Sequence, residues 1–408
     1  MINNEMKIRK TDLLAVLLFL PFFNLESFKY LMPVLSFASM FGVVFVLLFL
    51  FFAFFWIKRI HLDKYFWGLI VFWAWHFFLT YHFEGEWSPL VGATVRTVAM
   101  YFYIRIIILY YRASTKYILF LFIGLFAVNL ITFFLFPQGM YTMYGSNGSF
   151  YSNEVWILGG KNGYFCFMFF AIALYLLNFR YYSCDFKTTG IHYKRKKMNN
   201  LFLSFMFYFL IVINTFLVSK SVTLMIGISM IIVYLALAKN NLFGKRSLTV
   251  MYFAFFSVAI YFLLFSNTDN WLLKMISDFT GKSITLSGRT LIWQRSINAI
   301  HSIFPLGTGF QNPLQFVITM GQTTSHDKYL WIIYRGGLIA FILFCSFIID
   351  AARNLINNYN LIISKDYMLM LIVLLILWVV EVYDNNHLIY GFLLFCCYIQ
   401  KLVPKSRS

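Results

Sequence analysis

The 408-residue chain is 61% hydrophobic and 22% aromatic but only 12% charged, with a mean hydropathy of +0.75. A soluble protein needs roughly 25% charged residues to cover its surface, so a soluble fold and a disordered chain are both excluded. Continuous apolar runs such as Val43–Phe55 exclude a β-barrel, whose strands alternate. The composition indicates an all-α, polytopic integral membrane protein of about 12 transmembrane helices with a long extracytoplasmic loop carrying short helices.

Met1–Lys10 is basic and leads into an apolar run, but no small-residue cleavage site follows Phe23. It is therefore expected to precede a retained first helix, not to be a cleaved signal. Apolar spans are expected near 12–23, 34–57, 65–80, 89–110, 117–136, 161–179, 201–218, 222–238, 250–265, 328–349, 367–382 and 389–400. They divide the chain into an N-terminal bundle at 1–265, a long extracytoplasmic loop at 266–327, and C-terminal helices with a short cytoplasmic tail at 328–408. Within the loop, Trp271–Ile276 reads as an amphipathic piece and Thr290–Ile303 as a helix ending at Phe304-Pro305, followed by a Gly307-Thr308-Gly309 turn.

With both termini in the cytoplasm, most of the 33 Lys+Arg fall in cytoplasmic loops, as the positive-inside rule requires. The net charge of +18 is thus largely topological, and nucleic acid is not called for. The five cysteines have no metal-ligand spacing and read as packing residues. No P-loop, dinucleotide fingerprint or zinc motif occurs, so no cofactor and no metal are expected. No internal repeat is visible, which disfavours transporters built from inverted repeats.

The cations that violate the charge rule are the informative ones. Arg96 lies inside the fourth span, Lys161 opens the sixth in Gly159-Gly160-Lys161, and Lys220 sits in the hairpin Ser219-Lys220-Ser221. Arg289 and Arg295 belong to the long loop. Converging on the outer side, they would suit a strongly anionic group such as a diphosphate; singly, each could merely snorkel to headgroup phosphates. His326, where the loop re-enters the membrane, could take a proton from a sugar hydroxyl, with Asp327 close enough in sequence to influence it. An interfacial histidine bonded to a backbone carbonyl is the plainer alternative. Glu381 is an intramembrane carboxylate expected to balance a cation. Trp293, with Trp87, Tyr141 and Trp156, could stack on sugar rings, and an aromatic belt explains them equally well.

These residues bring a family with them. Leu286-Ser287-Gly288-Arg289-Thr290-Leu291-Ile292-Trp293, then Pro305-Leu306-Gly307-Thr308-Gly309, then Ser325-His326-Asp327-Lys328-Tyr329-Leu330 and Gly336-Gly337 resemble the O-antigen polymerase and ligase superfamily. Gly160-Lys161-Asn162 and Ser219-Lys220-Ser221 are weaker matches, with Lys where many relatives have Arg. The Asp after His326 departs from the pattern.

The resemblance implies an inverting, metal-independent glycosyltransferase in the bacterial cytoplasmic membrane with its active site in the outer loop. Its donor would be an undecaprenyl-diphosphate-linked oligosaccharide. Arg289, helped by Lys220, Lys161, Arg295 and Arg96, would hold the diphosphate. His326 would orient or deprotonate the acceptor, supported by Asp327, Glu381 and Trp293. Polymerisation of lipid-linked repeat units into O-antigen, capsule or exopolysaccharide is the favoured expectation, with donor and acceptor both lipid-linked, in membrane lipid, beside a chain-length regulator and flippase of the same pathway. A ligase moving polymer to another acceptor is the near rival. A lipid-linked-sugar flippase or other transporter, of a different class, would line a path through both membrane halves, and a non-catalytic assembly component would tolerate loss of Arg289 and His326.

Overall fold

Pro21 and Pro33 break the N-terminal apolar sequence into three helices. The computed structural model describes residues 9–57, 60–144, 150–152, 155–160, 163–180, 191–219, 221–237, 289–321, 325–379, 381–382 and 386–403. α1 (Lys10–Phe19) gives way at Pro21 to a 3-10 turn over Leu20–Phe22, and α2 (Glu26–Leu31) precedes α3 (Pro33–Trp56). Pro33 sits in the first turn of α3, where its missing N–H is no loss. The Ser39 hydroxyl donates to the Pro21 carbonyl at 2.9 Å. Gly42 lets the Pro21 ring lie directly on α3.

Asp63 starts α4 (Lys64–His82): its Oδ1 accepts the Tyr65 and Phe66 N–H groups, satisfying donors that a helix start leaves orphaned. α5 (Trp87–Phe102) continues as π-helical turns over Tyr103–Tyr110, and α6 (Thr115–Leu135) returns across the bundle. A two-stranded antiparallel ribbon, β1 (Met143–Tyr144) and β2 (Phe150–Ser152), pairs Met143 with Ser152. α7 (Tyr164–Tyr175) and α8 (Ile191–Ile213) also end in π-helical turns, at Leu176–Arg180 and Asn214–Ser219, and α9 (Val222–Leu237) comes next. The rest comprises α10 (Arg289–Ile303), α11 (Pro313–Met320), α12 (Lys328–Asn357), α13 (Ile362–Leu377), α14 (Asn386–Cys397) and α15 (Ile399–Leu402).

The burial pattern is that of an all-α, multi-pass membrane protein. Every residue of α7 is buried, as is Tyr367–Leu377 of α13. α14 packs between α5, α7 and α12. At the periphery the pattern inverts: Phe37, Phe45, Phe52 and Trp56 of α3 are exposed, Trp56 by 89%. Such a surface is untenable in water and natural in lipid. Among the described residues, five helices are long and apolar enough to cross a membrane: Pro33–Trp56, Trp87–Tyr110, Thr115–Leu135, Phe202–Ser219 and Lys328–Asn357. The other expected spans fall on shorter or more polar helices, apart from 250–265, which lies outside the described residues, as does Trp271–Ile276. The helix expected at Thr290–Ile303 is α10.

Candidate active site

α12 is not continuous. Gly337 has φ +62 and ψ −161, a break inside the helix. The break frees carbonyls that hydrocarbon cannot satisfy, and the Pro305–Phe310 segment satisfies them. Thr308 and Gly309 donate their N–H groups to the Tyr334 and Arg335 carbonyls at 2.9 and 2.8 Å, and the Leu338 N–H donates to the Pro305 carbonyl at 2.9 Å. A Cβ at Gly307 would overlap the Arg335 carbonyl, and one at Gly337 the Pro305 carbonyl. Gly307-Thr308-Gly309, expected as a turn, is thus part of a Pro305–Phe310 thread stitched to the broken helix, with Gly309 left-handed at φ +69. Its far end is fixed by α4, where Thr80 Oγ1 accepts the Phe310 N–H at 3.0 Å.

The stitching presents α10 and α11 to the start of α12. Phe316 and Met320 of α11 pack with Trp331 and Tyr334 of α12, backed by Ala299, Ile300 and Ile303 of α10. α11 begins with Asn312 accepting the Leu314 N–H at 2.9 Å and ends on left-handed Gly321.

His326 stands at the base of this assembly, two residues before α12. Its φ of +52 is a strained conformation for a residue with a Cβ, of the kind concentrated at functional sites. Its Nδ1 lies 3.2 Å from Glu381 Oε1; the His326 side chain is 27% exposed and that of Glu381 only 4%. Glu381, expected to balance a cation, therefore meets the imidazole. Asp327 does something different: its Oδ1 accepts the Leu330 N–H at 2.8 Å as the N-cap of α12. Its Oδ2 is buried with no hydrogen-bond partner among the described residues. Burial pushes this carboxyl, just outside the span, up to about 7, because the low-dielectric surroundings disfavour the charged form.

The expected cations are distributed unevenly. Arg289 opens α10. Arg295, exposed on the same helix, lies against Gly321 at the C-terminal end of α11, where a helix dipole favours a cation. Trp293 is buried, and its Nε1 lacks a hydrogen-bond partner among the described residues. Arg96, half-buried in α5, is within electrostatic reach of His387 at the start of α14. Lys161 and Lys220 lie outside the described residues.

The backbone just before each of those two lysines is described. The Glu26 carboxylate accepts the Gly160 N–H at 3.1 Å and the Ser27 hydroxyl donates to the Ile157 carbonyl at 2.7 Å. Asn129 Oδ1 accepts the Leu158 N–H at 2.9 Å.

Sequence reasoning missed two further features. Arg335 is visible in the sequence only as one more cation in an apolar span. In the structure its guanidinium carbon sits 4.0 Å from the Trp331 ring centroid, 4.3 Å from Phe310 and 5.1 Å from Phe316, a cation–π arrangement that ties the thread, α11 and α12 together. The second is Glu26, an ordinary carboxylate in an N-terminal turn until the Gly159-Gly160 backbone is seen resting on it.

The architecture and this site define a multi-pass membrane protein with a helical cap stitched into one of its spans. Residues 203–345, about a third of the chain, match the family model described as O-Antigen ligase. This supports the O-antigen polymerase and ligase superfamily, a group of membrane enzymes of the polymerase and ligase type acting on lipid-linked sugars. The match takes in Lys220, Arg289, Trp293, Arg295, His326 and Asp327, and leaves Arg96, Lys161 and Glu381 outside it. No curated protein matches the chain.

Proposed function

We propose that this protein polymerises undecaprenyl-diphosphate-linked oligosaccharide repeat units at the outer face of a bacterial cytoplasmic membrane, by inverting glycosyl transfer. The observation that carries the reading is the His326–Glu381 pair at 3.2 Å, held at the foot of the helical cap whose first described residue is Arg289. A carboxylate that takes the Nδ1–H fixes the imidazole ring and makes Nε2 its basic nitrogen.

In the reaction an acceptor sugar hydroxyl attacks the anomeric carbon of the donor. The hydroxyl proton passes to His326 Nε2, the new glycosidic C–O bond forms, and the bond to the diphosphate breaks with its electron pair leaving on the diphosphate oxygen. Negative charge grows on that oxygen, so cations directed there accelerate the step more than they aid binding. Arg289 is assigned to it, with Lys220, Lys161 and Arg96 as further anion contacts. Arg295 takes a lesser part, since it also serves the end of α11. Asp327 supports His326 by capping the helix that begins beside it.

The test is turnover of a lipid-diphosphate oligosaccharide by purified protein, resolved on a gel beside Arg289→Ala and His326→Ala. A ladder of lengthening glycan in the wild type, falling by about 10²–10⁴ in each variant, is the expected result. Transfer only to a separate acceptor, with no ladder, would instead identify a ligase. A ladder surviving both substitutions would remove these residues from the mechanism.

A further inference from the structure

We propose that α4 positions His326 through Trp75 and Thr80, by fixing the base of the short helical strut, Lys328–Gly336, on which the histidine is mounted. This rests on the reading of His326 above and brings in a helix that lies outside the matched family segment.

At the break in α12, three successive carbonyls accept bonds from outside the helix. The thread supplies two of them, from Thr308 to Tyr334 and from Gly309 to Arg335. The third comes from α4, where the Trp75 indole donates from Nε1 to the Gly336 carbonyl at 2.7 Å. An unanswered carbonyl is costly in hydrocarbon, so the indole completes what the thread begins. Trp75 is half-buried, and its ring stacks on Phe78 with centroids 5.3 Å apart. The strut lies so close to α4 that a Cβ at Gly336 would overlap the His76 ring. α4 also holds the thread itself. Thr80 Oγ1 accepts the Phe310 N–H at 3.0 Å, and the Glu86 N–H, just beyond α4, donates to the Phe310 carbonyl at 2.5 Å. A Cβ at Gly309 would overlap the Thr80 backbone.

The other end of the strut meets α13. The Lys328 N–H donates to the Trp378 carbonyl at 2.7 Å, and the Tyr329 hydroxyl to the Leu375 carbonyl at 2.9 Å. His326 is fastened to the strut, because Asp327 caps it and the Ser325 hydroxyl donates to the Asp327 carbonyl at 2.6 Å. Glu381 instead stands just past the end of α13. The 3.2 Å between His326 Nδ1 and Glu381 Oε1 therefore spans two separate elements, and the placement of the strut sets it. A short rigid helix carries a shift at its base to its far end.

α4 supplies its own contrast. Trp73, one strand of sequence away from Trp75, is buried with its ring centroid 6.3 Å from that of Phe310, yet its Nε1 has no hydrogen-bond partner among the described residues. Trp73 fills space beside the thread. Trp75 holds a carbonyl of the strut.

The experiment measures kcat and KM of the purified full-length protein on undecaprenyl-diphosphate-linked repeat units extracted from its source cells, with thermal melting of each variant alongside. Trp75→Phe keeps an aromatic ring against Phe78 and removes the N–H. It is expected to lower kcat about tenfold with KM little changed, since a misplaced base slows the step without loosening the substrate. Thr80→Val, which releases the far end of the thread, should lower kcat by a similar factor and decides the matter if the Trp75 variant does not fold. In the Glu381→Gln background each substitution should cost less than about twofold, because the pair they set is already broken. Trp73→Phe should melt earlier and turn over as the wild type does. Wild-type kcat in either folded variant, an equal loss in Trp73→Phe, or a loss that multiplies in full with Glu381→Gln would each overturn the positioning role and leave His326 in place. Full turnover by His326→Ala, or none by the wild type, would overturn the reading it rests on.

Discussion

The two ends of the helix bundle treat charge in opposite ways. At one end, Asp63 accepts hydrogen bonds from the Tyr101 and Tyr398 hydroxyls and stands 3.6 Å from Arg105 Nε, while Arg105 Nη2 donates to the His61 carbonyl. Nearby, Arg9 pairs with Asp12 at 3.0 Å, and Lys64 with Asp350 at 2.5 Å. Each of these three carboxylates answers a neighbouring cation or hydroxyl, and helices α4, α5, α12 and α14 are clasped by the result. At the other end Glu381 meets an imidazole, Asp327 has an unanswered oxygen among the described residues, and Arg335 lies against aromatic faces. A bundle needs the first kind of end to hold together. The second kind is where the proposed function places its chemistry.

Glu381→Gln tests that contrast most severely. Without the carboxylate the His326 ring loses the partner that selects its tautomer, and turnover of the lipid-linked substrate should fall by about 10² with melting little changed. A variant that melts early and turns over normally would assign Glu381 to the clasping kind instead. Asp63→Ala should do the reverse, lowering stability by about 2 kcal/mol through loss of a helix cap and charged hydrogen bonds. Turnover by the fraction that remains folded should be unaffected.

The smallest effect concerns Asp327. Its carboxyl titrates at about 7 in the fold, above the ordinary carboxylate range, because burial resists the charge. A raised value means the folded state holds the proton more tightly than the unfolded one, so its stabilising contribution is fully present below about pH 4. That contribution is lost as pH rises through about 7. Melting in detergent should therefore decline between about pH 5 and pH 8 for the wild type, to a degree set by this one group. Asp327→Asn, which retains an oxygen for the Leu330 N–H, should flatten that slope. A slope unchanged in the variant would show that another group governs it.

How much could be read in advance depends on how far each feature reaches along the chain. The apolar runs announce α3, α6 and α12 because a membrane helix is specified by about 20 consecutive residues. His326 and Arg289 are legible through short motifs, and Arg96 through its own incongruity in a span. The partnership of His326 with Glu381 is not, because 55 residues separate them and a lone intramembrane Glu does not say which group it faces. The bond between Trp75 and Gly336, 261 residues apart, is invisible for the same reason. The described π-helical segments and the break at Gly337 escape for another reason. Local sequence there is helical in character, and it is a partner arriving from elsewhere that makes the distortion tolerable.

That arrival has consequences for how the membrane segment is made. Gly337 lies nine residues, about 13 Å, inside α12. Broken as it is here but without the thread, α12 would present backbone carbonyls to hydrocarbon at a cost of several kcal/mol each. The Pro305–Phe310 thread, and α4 with its Thr80, must therefore be in place for the broken form of the span to be stable. The cap is not a lid hung on a finished bundle. It is one of the rungs of the membrane segment itself, and any part of the cap that moves has to do so beyond the thread.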